Sequence, residues 1–219
     1  MRCTQVFKRA DLHNATGCLL ITRQPPPAPP PTPGQPPLVH ANPQEGVEIL
    51  LAVWNDGSVT ALHGHVDLGT GIRTALAQIV AEELDVPLDR INMVLGDTAL
   101  VPNQGATIAS ASIQNYAAPL RAAAAQARAW LVESAAALLR VDAVFDYGSM
   151  VGELIGEQHI ELPLALDTPT KPASDYRVVG TSTPRVDIPA KVTGQLTFVH
   201  DMRVPGMLHG RVVRPPYVG

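Results

Sequence analysis

The stretch from Asp56 to Ser112 constrains the fold more than any other part of the chain: DGSVTALHGHVDLGTGIRTALAQIVAEELDVPLDRINMVLGDTALVPNQGATIASAS. Its periodicities read in turn as strand, glycine-rich turn, helix, strand, and a polar loop feeding a long helix. Just before it, Val47 to Trp54 is apolar on both alternating faces, which suits a strand covered on two sides. Asn55-Asp56-Gly57 tolerates positive φ and predicts a tight hairpin into a return strand from Val59 to Val66. On that strand Thr60, Leu62 and Val66 share one face, and Val59, Ala61, His63 and His65 share the other. Packing is the favoured reading of the two histidines, because zinc would need a third ligand and none is visible nearby.

Asp67-Leu68-Gly69-Thr70-Gly71 lets the backbone turn sharply and approach a ligand without Cβ atoms in the way. Ile72, Ala75, Leu76, Ile79, Val80 and Leu84 then form one helical stripe, with Arg73, Gln78 and Glu82 or Glu83 off it, and Pro87 ends the helix. The first amides of a helix lack internal partners, so this turn can hold a phosphate. On the residues alone, a glycine turn capped by Thr70 or Asp67 stands ahead of a phosphate site. The arrangement then repeats. Ile91, Met93 and Leu95 predict a short strand, and Thr107, Ser110 and Ser112 gather three hydroxyls near the next helix start, where they can face one anion.

The 219 residues are 46% hydrophobic, enough for a real core. A net charge of −4, no lysine or arginine cluster and 4% aromatic residues argue against nucleic acid as a partner. Cys3 and Cys18 are the only cysteines, too few for an iron–sulfur cluster, so electron carriers would have to sit in a partner. Residues 1–23 read as an N-terminal segment whose apolar run Gly17–Ile21 is shorter than a secretory core, and no stretch is long enough to span a membrane. The expected compartment is the cytoplasm, with the periplasm as the alternative. Residues 24–43 read as a proline-rich linker in polyproline II conformation, marking a boundary.

From Asn115 the chain turns alanine-rich. Leu120, Ala124, Ala127, Leu131, Ala135 and Leu138 predict a closely packed helix that either starts near Pro119 or is kinked there early. Short strands are expected at Met150 to Ile155 and His159 to Leu164, closing a first body of residues 44–165. A second body, residues 175–219, suggests strands at Val178-Val179, Thr197 to Val199 and Leu208 to Val213.

Three motifs in order, GSVTALHGHVDLGTGIRTALAQIVAEEL, GDTALVPNQGATIASAS and PRVDIPAKVTGQLTFVHDMRVPGMLHGRVVRPP, resemble the molybdopterin-binding large subunit of the xanthine dehydrogenase and aldehyde oxidase family, in its nicotinate dehydrogenase and isoquinoline 1-oxidoreductase branch. The resemblance implies an α+β fold: the first part of a molybdenum-binding domain, built as hairpin, helix, strand and helix, then the beginning of an α/β hammerhead domain. It also implies molybdopterin cytosine dinucleotide with molybdenum as cofactor, and oxidation of an N-heterocycle or aldehyde with oxygen from water. The implied electron partner is a small [2Fe–2S] subunit, with a cytochrome c as a further acceptor. Gly69, Thr70 and Gly71 match the family's Gly-Gln-Gly loop, with Thr70 replacing glutamine, and Thr107, Ala109, Ser110 and Ser112 match its Thr-Ala-Ala-Ser-x-Ser run.

The metal in such enzymes is held by the pterin's sulfurs, so no protein ligand to it is assigned. No glutamate here sits in the context of the family's catalytic base, and no catalytic residue is assigned either. Family members run several hundred residues further, so the chain reads as a truncated, N-terminal portion, inactive by itself. The alternative from a different class is a non-catalytic binding or assembly module that associates with a partner subunit.

Overall fold

The computed structural model describes residues 8–25, 46–144, 146–214 and 216. It is an α+β fold around one mixed sheet of five strands, ordered β4-β3-β2-β1-β5. Here β1 is Cys18–Arg23, β2 Glu48–Trp54, β3 Val59–His63, β4 Ile91–Leu95 and β5 His159–Pro163. The expected hairpin is present: β2 and β3 pair antiparallel, and Gly57 takes φ +77° at the turn, where the Trp54 amide donates to the Ser58 carbonyl. Helix α2, Ile72–Leu84, then carries the chain from β3 to β4, which lies parallel beside β3. Parallel neighbours need such a crossover because a tight turn cannot reverse the direction twice.

Strand β1 is the main departure from the sequence reading. The run taken as part of a separate N-terminal segment lies inside the sheet, antiparallel to β2 and parallel to β5. Leu19 and Ile21 point into the helix-covered core, and Cys18 and Leu20 into the core on the other face. The proline-rich stretch itself is largely outside the described residues, as is Cys3, but the strands on either side of it are paired, so it joins two parts of one body. Burial also raises the Cys18 thiol to about 11, which leaves it unreactive.

One sheet face is covered by α2 and by α4, Ala117–Leu139. Alanines at 123, 124 and 127 are fully buried and let α4 lie close to the sheet, while Leu138 faces solvent at the helix end. The opposite face is covered by Leu12 of the short helix α1, Arg9–His13, and by Leu100 and Val101 of the loop after β4. Arg9 ties these two together by donating to the Val101 carbonyl at 2.7 Å.

Residues Met150 to Ile155 form no strand. A 3-10 turn at Gly148–Met150 leads into helix α5, Val151–Ile155, whose buried Val151 and Ile155 are one helical turn apart. The strand expected next is present as β5. Glu82 and Glu83, expected off the buried stripe of α2, are themselves buried. Glu83 pairs with Arg121 at 2.6 Å, and Glu82 accepts from the backbone amides of Arg177, Val178 and Val179 at 2.6–3.1 Å. This pins the segment around Val178 to α2 through a carboxylate, so Val178-Val179 is no strand.

The chain divides into two compact units, residues 1–184 and 185–219. The second contains helix α6, Ile188–Val192, and a 3-10 turn at Val199–Asp201. The strands expected at Thr197 to Val199 and Leu208 to Val213 are not formed among its described residues. A strand is stable only against a neighbour, and these segments have none there.

Candidate functional site

The two junctions singled out in the sequence meet. Thr70, at the turn before α2, and Thr107, Ala109, Ser110 and Ser112, before and within the single-turn helix α3 (Ala111–Gln114), line one open cavity of about 490 Å³. Gly69 and Gly71 are not among its lining residues. Around the hydroxyls stand Val66, Leu68, Ile108 and Ile113, all well exposed, so the cavity combines hydroxyl groups with an apolar collar.

At the first junction, three of the amides are already engaged within the turn. Asp67 Oδ1 accepts from the amides of Gly69 at 2.9 Å and Gly71 at 3.2 Å, and Oδ2 from Arg73 at 3.2 Å. Asp67 therefore caps α2 from outside the helix, as one of the two capping options in the sequence allowed. The amides of Thr70 and Ile72, two residues that line the cavity, are not among those Asp67 holds.

The second junction is arranged differently. Ala109 and Ser110 both adopt left-handed backbone, φ +51° and +56°, a conformation that costs on the order of 1 kcal/mol for a residue with a Cβ. Ser110 is exposed, and its hydroxyl has no partner among the described residues; the same holds for Thr70. Thr107 accepts from the Val66 amide at 3.0 Å, and Ser112 lies 2.7 Å from His65 Nδ1. These side chains fit a polar heterocycle: hydroxyls at several points, apolar surface for its flat faces, and room to enter.

His63 and His65 are fully buried behind this wall. Their rings meet edge to face at 5.3 Å, and Tyr116 packs on His65 at 4.7 Å. Burial, and then the neighbouring His65, lower His63 to about 4, so it stays neutral. Its Nε2 has no hydrogen-bond partner among the described residues; the Ser112 backbone favours its protonated form without reaching bonding geometry. Among the described residues no three His, Cys, Asp or Glu side chains gather to hold a metal.

Gln104 carried no signal in the sequence, yet it braces the site. Its side chain accepts from the Gly64 amide at 2.8 Å, and its carbonyl lies 3.2 Å from His65 Nε2. A Cβ on Gly64 would stand 2.2 Å from the Pro102 carbonyl, so glycine is what lets the two loops approach. That glycine next to a histidine was the only available hint.

Residues 31–160, which include both junctions, match the model of the molybdopterin cofactor-binding domain. The chain belongs to that family. Similarity to named members extends further than the domain model. A nicotinate dehydrogenase subunit of Pseudomonas putida is 52% identical over 98% of this chain and 19% of its own length. The beta subunit of isoquinoline 1-oxidoreductase from Brevundimonas diminuta is 30% identical, covering 78% of this chain and 29% of its own. Xanthine dehydrogenase of Blastobotrys adeninivorans is 41% identical over 63 residues, 29% of this chain and 4% of its own. The chain therefore spans less than a third of the length of these relatives. The resemblance to the xanthine dehydrogenase and aldehyde oxidase family rests on both the domain match and these relatives.

Proposed function

We propose that this chain supplies one wall of the cofactor site in a molybdenum hydroxylase large subunit, and that the cofactor is molybdopterin cytosine dinucleotide. The observation that carries the reading is the meeting of Thr70 with Thr107, Ser110 and Ser112 at one cavity, although the two junctions are far apart in sequence. Thr70 and Ser110 offer hydroxyls with no partner among the described residues, Thr107 and Ser112 offer hydroxyls held from behind, and Leu68, Ile108 and Ile113 exclude water from the flat faces of the ligand. Gly69 and Gly71 act indirectly, by giving Asp67 the turn it caps. Bound there, the cofactor supplies the two-electron chemistry by which an N-heterocycle or aldehyde is oxidised with oxygen from water.

None of the residues lining the cavity is acidic, so the proton-accepting carboxylate of such a reaction has to come from elsewhere, and these 219 residues alone are expected to be inactive. With two cysteines in the sequence, electrons would leave through a small [2Fe–2S] subunit, or through a cytochrome c. No helix among the described residues is long and apolar enough to cross a membrane; the cytoplasm is the proposed compartment.

The test is molybdenum and nucleotide analysis of natively purified protein. Stoichiometric molybdenum, with CMP released by acid hydrolysis, supports the reading. Absence of molybdenum and pterin would refute it, and release of another nucleotide would refute the cytosine form.

A second reading, an assembly module without chemistry of its own, is favoured by one observation. Within residues 185–219, Val192, Val199, Leu208, Val212 and Val213 are each more than three-quarters exposed, a surface that a partner subunit would cover. Light scattering discriminates: a clean monomer that takes up no partner argues against it.

A further inference from the structure

The hydroxyl wall is not neutral as to which way its hydrogen bonds run. A backbone carbonyl can only accept, so the 3.2 Å contact between His65 Nε2 and the Gln104 carbonyl requires a hydrogen on Nε2. In the neutral ring this leaves Nδ1 as a bare lone pair. Ser112 Oγ, 2.7 Å away, must then donate its only hydrogen backwards into the protein. What it turns toward the cavity is oxygen lone pairs. Thr107 is wired the opposite way: the Val66 amide donates to its oxygen, so its own hydrogen remains available to a ligand. His65 has little freedom to change this, being fully buried, packed on Tyr116, and fixed by its own amide, which donates to His63 Nδ1 at 3.2 Å.

We propose that His65 is a positioning residue that fixes Ser112 as a hydrogen-bond acceptor, so that a ligand in this cavity must meet Ser112 with an N–H group and can meet Thr107 with a carbonyl oxygen or ring nitrogen. The ligand class is a heterocycle carrying both kinds of group, as a lactam ring does. This rests on the reading of the cavity as a cofactor site. It goes beyond that reading by assigning a direction to each bond and a role to a histidine that never touches the ligand. A heterocycle offering only acceptors would face Ser112 lone pair to lone pair and be rejected, since an unmade buried hydrogen bond costs more than a made one contributes.

The test has two arms. In the first, imidazole nitrogen shifts of His65 are recorded by NMR on the isotope-labelled, unsubstituted chain at alkaline pH. A hydrogen on Nε2 and none on Nδ1, with a shift of the Nδ1 signal in Ser112→Ala, is expected; a hydrogen on Nδ1 overturns the proposal. In the second, binding of 6-hydroxymethylpterin is followed by its fluorescence. Ser112→Ala and His65→Leu are expected to weaken it about tenfold, the worth of one hydrogen bond. Ser112→Thr, which keeps the acceptor, and His65→Asn, whose side-chain oxygen can replace Nδ1, are expected to restore most of it. Unchanged binding by Ser112→Ala overturns the ligand half of the proposal. If the unsubstituted chain binds no pterin while its Nδ1 is bare, the cofactor reading fails and the assigned direction of the Ser112 bond stands.

Discussion

Asp67 places a carboxylate where the start of α2 would otherwise attract an anion from solution, accepting from the amides of Gly69, Gly71 and Arg73. Replacing it removes a cap and leaves donors without a partner. Asp67→Ala is expected to cost about 1–2 kcal/mol of stability, read from the urea midpoint, with the secondary structure retained. Glu82 is a second carboxylate with a structural task. Burial pushes its pKa up, but the amides of Val179, Val178 and Arg177, together with Lys171, outweigh this and hold it below the ordinary value. A group depressed in the folded state contributes stability that is present above its unfolded pKa, about 4.3, and is lost as the pH falls through the lower folded value. Urea midpoints should therefore drop on acidification, and Glu82→Gln should flatten that part of the profile while lowering the plateau at neutral pH. An unchanged acid slope in the variant would show that Glu82 does not hold the 177–179 segment.

At the level of elements, β1 shows what local pattern leaves hidden. The β2–β3 hairpin was legible because Asn55-Asp56-Gly57 encodes its turn locally, and α2 and α4 were legible because their stripes repeat over several turns. The meeting of Thr70 with Ser110 at one cavity was also expected, from two helix starts facing one ligand. By contrast, β1 is paired with β2 across the proline-rich stretch and with β5 from the far end of the first unit, and no short window of sequence records such partners. Helix α5 replaces the expected strand for a related reason: Met150 to Ile155 is apolar enough for a strand, and what selects the helix is burial of Val151 and Ile155 on one side, with Gly152 set close to the Asn55 carbonyl. Asp67 was one of two caps the sequence allowed, but Gln104 and the Ser112–His65 pair were hidden at a finer grain, because hydrogen-bond partners are chosen only after the loops have packed. If β1 is a core strand, Leu19→Ala should cost about 2–5 kcal/mol, as for other buried leucines. A loss under about 1 kcal/mol, within the range of surface substitutions, would contradict its place in the sheet.

Across the whole molecule, the sheet with its helices acts as a frame that holds two loop systems, the turn after β3 and the loop before α3, on either side of one cavity. The frame is where the packing energy lies, and the site is built from exposed hydroxyls at its edge, so the two can be altered separately. Thr70 is the useful probe because it is exposed, lines the cavity and has no partner among the described residues. The decisive measurement is bound pterin and molybdenum per chain in natively purified protein, compared between the unsubstituted form and Thr70→Trp, whose indole would fill the space between the two loops. Stoichiometric cofactor in the first, at least a tenfold loss in the second and matching urea midpoints are the expected result; equal cofactor in both would contradict the placement of the cofactor in this cavity.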